Sequence, residues 1–168
     1  MCIRDSILLS AVRRLLQKNL QFELLIVGGG EHPSNIEIRE HFSDLESTGV
    51  VKYLGRKTRS EIAFLLWSSD ISVLPSRQEA LGVSILESMA AGVPVVASRV
   101  GGIPEILGDS EYGLVFEPLN VDQLCSCIAQ LIVSSDKRDG FRKRGMQRVG
   151  HFSKDVMIKK IRDVYLGV

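Results

Sequence analysis

Residues 76–98 read SRQEALGVSILESMAAGVPVVAS, a polar loop that passes through a helical pattern into a continuous apolar run. Small and apolar residues dominate the stretch, yet it keeps two glutamates, Glu79 and Glu87, eight positions apart. The helix opens near Gly82, and VPVVAS (93–98) reads as a strand buried on both faces, because short apolar runs between turn residues mark such strands. Helix followed by buried strand is one period of an α/β sheet, and the flanking sequence repeats it.

Upstream, a helical pattern covers 5–18, and FELLIVGGG (22–30) is an apolar run ending in glycines. SNIEIREHFSDLEST (34–48) starts at the N-cap candidate Ser34 and stops before Gly49. VVKYLG (50–55) is a second strand. Thr58 and Glu61 have capping-box spacing at the start of RSEIAFLLWSS (59–69), and DISVLP (70–75) returns to strand. Downstream come a short strand near YGLVFE (112–117) and helices near 120–134, 137–149 and 153–166. Strands alternating with helices predict an α/β class: a Rossmann-like parallel sheet with right-handed crossovers and helices on both faces. The runs at 22–27, 50–54, 70–75 and 93–98 are expected to be its central strands.

The chain has 168 residues, 45% hydrophobic and 24% charged, enough for one domain with a substantial core. Twenty-one Lys and Arg against twenty Asp and Glu leave a net charge of +1, which gives no global attraction for nucleic acid. Cys2, Cys125 and Cys127 follow neither a disulfide framework nor metal spacing, and His32, His41 and His151 lack ligand spacing, so no metal site is expected. A reduced, cytoplasmic chain is the expectation, with no apolar run of membrane-span length. The basic run KRDGFRKRG (137–145) reads as a solvated helix face, and Phe64 and Trp67 as core.

In a doubly wound sheet, ligands bind beyond the carboxyl ends of strands, where helix N-termini present unpaired amides and a positive dipole end. PSRQEALG (75–82) occupies such a place. Amides around Leu81, Gly82 and Val83 suit a phosphate, with Glu79 before that terminus and Glu87 about 7 Å along the helix at ~1.5 Å per residue. Carboxylates accept hydrogen bonds from vicinal hydroxyls, so a ligand with hydroxyls, phosphates and hydroxyls in order matches, as in a nucleotide diphosphate sugar. The helix phase sets Val83, Leu86 and Ala90 on an apolar stripe and leaves Glu87 beside small neighbours, both carboxylates being expected unpaired in an open cleft. Spacing by itself equally fits a solvated loop glutamate and a surface helix glutamate. A hydrolytic pair is disfavoured, since it needs facing carboxylates roughly 5 to 9.5 Å apart.

PSRQEALGVSILESMAAGVPVVASRVGGIPEIL (75–107) closely resembles the E-x7-E region of retaining, GT-B-fold glycosyltransferases of family four, in their C-terminal donor-binding domain. LLIVGGGE (24–31), the run 50–76 and the segments 112–132 and 151–168 are similar to further parts of that domain, so the resemblance spans about 7–168. It implies one half of a GT-B fold and transfer from a UDP-, GDP- or ADP-sugar with retention at the anomeric carbon, with no metal or other cofactor. It implies that Glu79 is the catalytic-site residue at the donor sugar and that Glu87 binds the ribose. It further implies that Leu81, Gly82 and Val83 hold the diphosphate, that Arg56, Lys57 and Thr58 border the base, and that Gly28, Gly29 and Gly30 line the cleft. The turn VGGIPE (100–105), with Gly101 and Gly102, is either a tight turn or a backbone wall of that site.

Members of that family precede this region with a strand bearing an arginine, then Lys-Gly, and with an acceptor-binding domain. The resemblance puts Lys-Gly near Ile3 and Arg4, where neither residue is present, and marks residues 1–6 as flanking sequence ahead of a domain at 7–168 truncated at its N-terminus, so that the first strand is missing and the sheet is expected to show an unpaired edge or gap in its place. The acceptor domain is the implied partner, and any peripheral membrane contact belongs to it. Three functional readings remain open: the donor half of a glycosyltransferase, a nucleotide-binding module without catalysis, and a GT-B-fold sugar-nucleotide epimerase.

Overall fold

The computed structural model describes residues 5–28 and 43–167. Its elements run α1 (Asp5–Gln17), β1 (Leu24–Val27), α2 (Ser43–Ser47), β2 (Val51–Gly55), α3 (Arg59–Trp67), β3 (Ser72–Leu74), α4 (Val83–Ala90) and β4 (Val95–Ser98). Then follow α5 (Ile103–Leu107), β5 (Leu114–Phe116), α6 (Val121–Val133), α7 (Ser135–Val149) and α8 (Lys154–Leu166). The helix expected from Ser34 is described only in its last part, α2; Gly29, Gly30, His32, His41, Ile3 and Arg4 lie outside the described residues.

Every described strand pair is parallel: β1 with β2, β3 with β4, and β4 with β5. A gap of the kind expected for a missing strand is present, and the one departure is β2, which pairs only with β1 among the described residues and so is an edge strand rather than a central one. Hydrogen bonding stops between β1 and β3, leaving a two-stranded sheet β1-β2 and a three-stranded sheet β3-β4-β5. The gap is a cavity of about 720 Å³ lined by both Leu24–Val27 and the β3 residues Ser72, Val73 and Leu74.

Alternation along β4 shows how helices cover both faces of the larger sheet. Val96 joins Phe116 in a core with Ala11 and Leu15 of α1 and Leu124, Ile128 and Leu131 of α6. Its neighbours Val95 and Ala97 turn the other way, into a core with Ile85 and Met89 of α4 and Ile103, Ile106 and Leu107 of α5. A third cluster sets Leu8, Leu9 and Val12 of α1 against Val51 of β2 and Leu45 of α2, so α1 packs on both sheets.

The basic run 137–145 is more than a solvated face. Arg138 donates to the carbonyls of Leu131 and Ile132 at the end of α6, and Arg142 Nε to that of Gly92 beyond α4 (2.9 Å). Arg144 Nε donates to the Glu111 carbonyl (2.8 Å), and Arg148 reaches Glu105 and Ile106 in α5 while its guanidinium lies 5.0 Å from the Tyr112 ring centre. The last carbonyls of a helix have no intrahelical partner and carry a partial negative charge, so α7 fastens the ends of its neighbours with arginines.

Two further expectations are corrected in the helices. Phe64 and Trp67 are 68% and 74% exposed, because α3 turns Ile62, Leu65 and Leu66 to the cavity instead. In α4 the buried residues are Ile85, Ser88 and Met89, whereas Val83 and Ala90 are exposed. Ser88 is buried because its hydroxyl is paired at both ends, with Ser72 Oγ at 2.9 Å and the Ser84 carbonyl at 2.8 Å.

Candidate functional site

Beyond the carboxyl ends of β1, β2 and β3 lie Gly28, the turn 56–58 and the loop 75–82. Gly28 takes φ +125°, a conformation open to glycine, and its amide donates to the Gly55 carbonyl at 2.9 Å. The Tyr53 hydroxyl donates to the Gly28 carbonyl at 3.1 Å, fixing that turn to β2.

Thr58 caps α3. Its hydroxyl accepts from the Glu61 amide, and its own amide donates to Glu61 Oε2 at 2.8 Å, the reciprocal capping box read from the spacing. Lys57 Nζ lies 3.4 Å from Glu61 Oε1. Hydrogen bonds from the Thr58 amide and hydroxyl, aided by the Lys57 charge, hold the Glu61 carboxyl below the usual carboxylate range. Arg56 is exposed and has no partner among the described residues.

The loop 75–82 is pinned at its start, where Ser98 Oγ donates to the Ser76 carbonyl at 2.6 Å. Ser76 itself is 2% exposed, and its hydroxyl lacks a partner among the described residues. At the other end Gly82 adopts the left-handed conformation (φ +76°), and its amide donates to Glu79 Oε1 at 3.3 Å. Glu79 is therefore not unpaired: it folds back on the entrance of α4. The amides of Val83 and Ser84, in the first turn, have no intrahelical partner. Glu87 is exposed and free of partners among the described residues.

The cavity between the sheets brings Gly28, Arg56, Lys57 and Glu87 to one wall, with Ser84 and Ser88 beside them. Glu79, Leu81, Gly82, Val83 and Thr58 are not among the residues that line it; they stand at or just before the N-termini of α3 and α4. A shallower groove of about 280 Å³ between α3 and α4 also includes Glu87, so this carboxylate stands on the ridge between the two recesses. The small neighbours expected beside Glu87 on its helix face include Ser84 and Ser88, which line the cavity with it; sequence reasoning overlooked Ser76, for which a serine just after an apolar strand was the available signal.

The described chain thus combines a parallel α/β scaffold with a carboxylate, two cations and open helix amides at the strand ends. The model of the family Glycosyl transferases group 1 matches residues 6–148, and the chain belongs to that family. It is 32% identical over 148 residues to an uncharacterised glycosyltransferase of Methanocaldococcus jannaschii, covering 88% of this chain and 41% of that protein. The crystal structure of a glycosyltransferase from Rickettsia africae superposes with a TM-score of 0.83 at 27% identity, over 96% of this chain and 43% of that one. Anabaena HepE, solved with UDP and glucose, has a TM-score of 0.81 at 23% identity, over 97% and 44% of the two chains. The chain spans about two fifths of the length of the curated relatives it matches.

Proposed function

We propose that this chain binds a nucleotide diphosphate sugar and forms the donor side of a retaining glycosyl transfer. The observation that carries the reading is the convergence of Gly28, Arg56, Lys57 and Glu87 on one cavity beside the open amides of α4. Glu87 accepts from the ribose hydroxyls. Backbone at Leu81, Gly82 and Val83 holds the diphosphate, and Arg56, Lys57 and Thr58 border the base. Gly28 lines the cleft, and Glu79 reaches the hydroxyls of the sugar that moves. Phosphate binding displaces Glu79 from the Gly82 amide and frees its carboxylate for that contact.

In the transfer step the bond from the anomeric carbon to the diphosphate breaks, a new bond to the acceptor oxygen forms on the same face, and the acceptor hydroxyl's proton passes to the departing diphosphate oxygen. Charge grows on the departing diphosphate, and the helix amides at the entrance of α4 stabilise it electrostatically without a metal. The acceptor is held by a separate domain of the whole enzyme, acting in the cytoplasm. The E-x7-E pair favours transfer over epimerisation because it supplies acceptors for sugar and ribose together. Calorimetric titration with UDP, GDP and ADP and with UDP-glucose and GDP-mannose tests the reading. One base series is expected to bind; no heat from any of the five contradicts it.

The gap between β1 and β3 suits one additional parallel strand, which would join the two sheets into one. Both flanking edges are unpaired among the described residues, and residues of both strands line the space. An extended chain carrying such a strand ahead of α1 is expected to melt higher than the present chain, and an equal or lower melting temperature argues against it.

A further inference from the structure

Within the loop 75–82 the Glu79 side chain accepts from the Gly82 amide, while the backbone at Glu79 and Ala80 meets the turn after β4. Gly101 adopts φ +52°, and a Cβ placed on it would stand 1.6 Å from the Glu79 carbonyl oxygen and 2.8 Å from its carbon. A Cβ on Gly102 would stand 2.9 Å from the Ala80 carbonyl oxygen. The two backbones are in direct contact, and the Gly102 amide donates to the Ala80 carbonyl at 3.2 Å. Behind the turn, Ile103, Ile106 and Leu107 are fully buried, and Ile103 Cγ1 lies 3.6 Å from the Cβ position of Gly82.

We propose that the Gly101–Gly102 turn is a positioning element for Glu79, holding its backbone at a fixed height over the entrance of α4. The inference rests on the donor-site reading for its functional meaning. The clamp has no carboxylate or hydroxyl of its own and acts only through the loop. Only glycine permits the approach, since any side chain at 101 meets peptide backbone, which cannot swing aside as a flexible side chain does.

Native-state hydrogen exchange on the chain, with calorimetry alongside, tests the clamp. Gly101→Ala is expected to speed exchange of the Gly82 and Gly102 amides at least about tenfold, while β4 and β5 stay protected. Gly102→Ala should act in the same direction more weakly and decides the matter if Gly101→Ala does not fold. Gly108→Ala is the control: it also has positive φ (+56°) and crowding, against the Tyr112 ring at 2.8 Å, but it follows the C-terminal end of α5, and no atom of the loop is among its nearest neighbours. The same variants are titrated with UDP and UDP-glucose. Loss of the affinity difference between those two probes, with UDP affinity kept, supports positioning of Glu79. Exchange that rises while the unmodified chain binds neither probe supports the clamp and defeats the donor reading separately. The proposal is overturned if the loop amides keep their protection in both clamp variants, or if Gly108→Ala exposes them equally.

Discussion

The amide of Gly82 donates to the carboxylate of Glu79 at 3.3 Å, so the first glutamate of the E-x7-E pair closes the entrance to α4 in the free chain. Glu87, the fifth residue of that helix, keeps its carboxylate free among the described residues. The two carboxylates start from different states, and substitutions at them act differently.

Removing the capping box should weaken α3 alone. Thr58→Ala deletes the hydroxyl that accepts from the Glu61 amide, a loss of about 0.5–2 kcal/mol. Urea unfolding followed by circular dichroism measures it; an unchanged midpoint would show that the cap adds nothing.

Acid should loosen the same turn. The folded Glu61 carboxyl titrates below its unfolded counterpart, chiefly through the Thr58 amide bond, so its contribution is present above the ordinary glutamate range. It is lost as pH falls through the lower folded value. The protection factor of the Thr58 amide, with the intrinsic pH dependence of exchange divided out, should fall there in the natural chain but stay constant over that interval in Glu61→Gln.

The fold's periodicities were legible because they are local. Val95, Val96 and Ala97 alternate between two cores as a doubly covered strand must, and Thr58 with Glu61 makes its box within four residues. The phase of α4 was not legible, since burying Ser88 depends on Ser72, sixteen positions away. Phe64 and Trp67 misled for the opposite reason: aromatic character suggested core, but α3 fills its inner face with Ile62, Leu65 and Leu66. At the site, the glutamates and the helix entrance could be read, whereas the clamp at Gly101 could not, because it is a backbone contact between segments about twenty residues apart.

The exposure of Trp67 yields a direct check. Trp67→Ser should change unfolding free energy by no more than about 0.5 kcal/mol, as for a surface residue. Leu107→Ala, at a fully buried position, should cost about 2–5 kcal/mol. Comparable losses in thermal denaturation would return Trp67 to the core.

Arginine fastening by α7 is tested by Arg142→Met, which keeps the aliphatic stem but removes the donor to the Gly92 carbonyl. A loss of about 0.5–1.5 kcal/mol is expected, with faster exchange at the end of α4. No change in either would make the bond incidental.

The central claim, that the E-x7-E pair divides a nucleotide diphosphate sugar between its two carboxylates, is tested most directly by titrating Glu79→Gln and Glu87→Gln with UDP and UDP-glucose, or with the base series the natural chain prefers. Glu87→Gln should weaken nucleotide and conjugate alike, by roughly 10- to 150-fold, the loss of a hydrogen bond to a charged group worth about 1.5–3 kcal/mol. Glu79→Gln should leave the free nucleotide unaffected and weaken only the sugar-bearing ligand, with both variants melting close to the natural chain. Unaltered binding in both variants, or an equal loss for both ligands at both positions, would contradict the account.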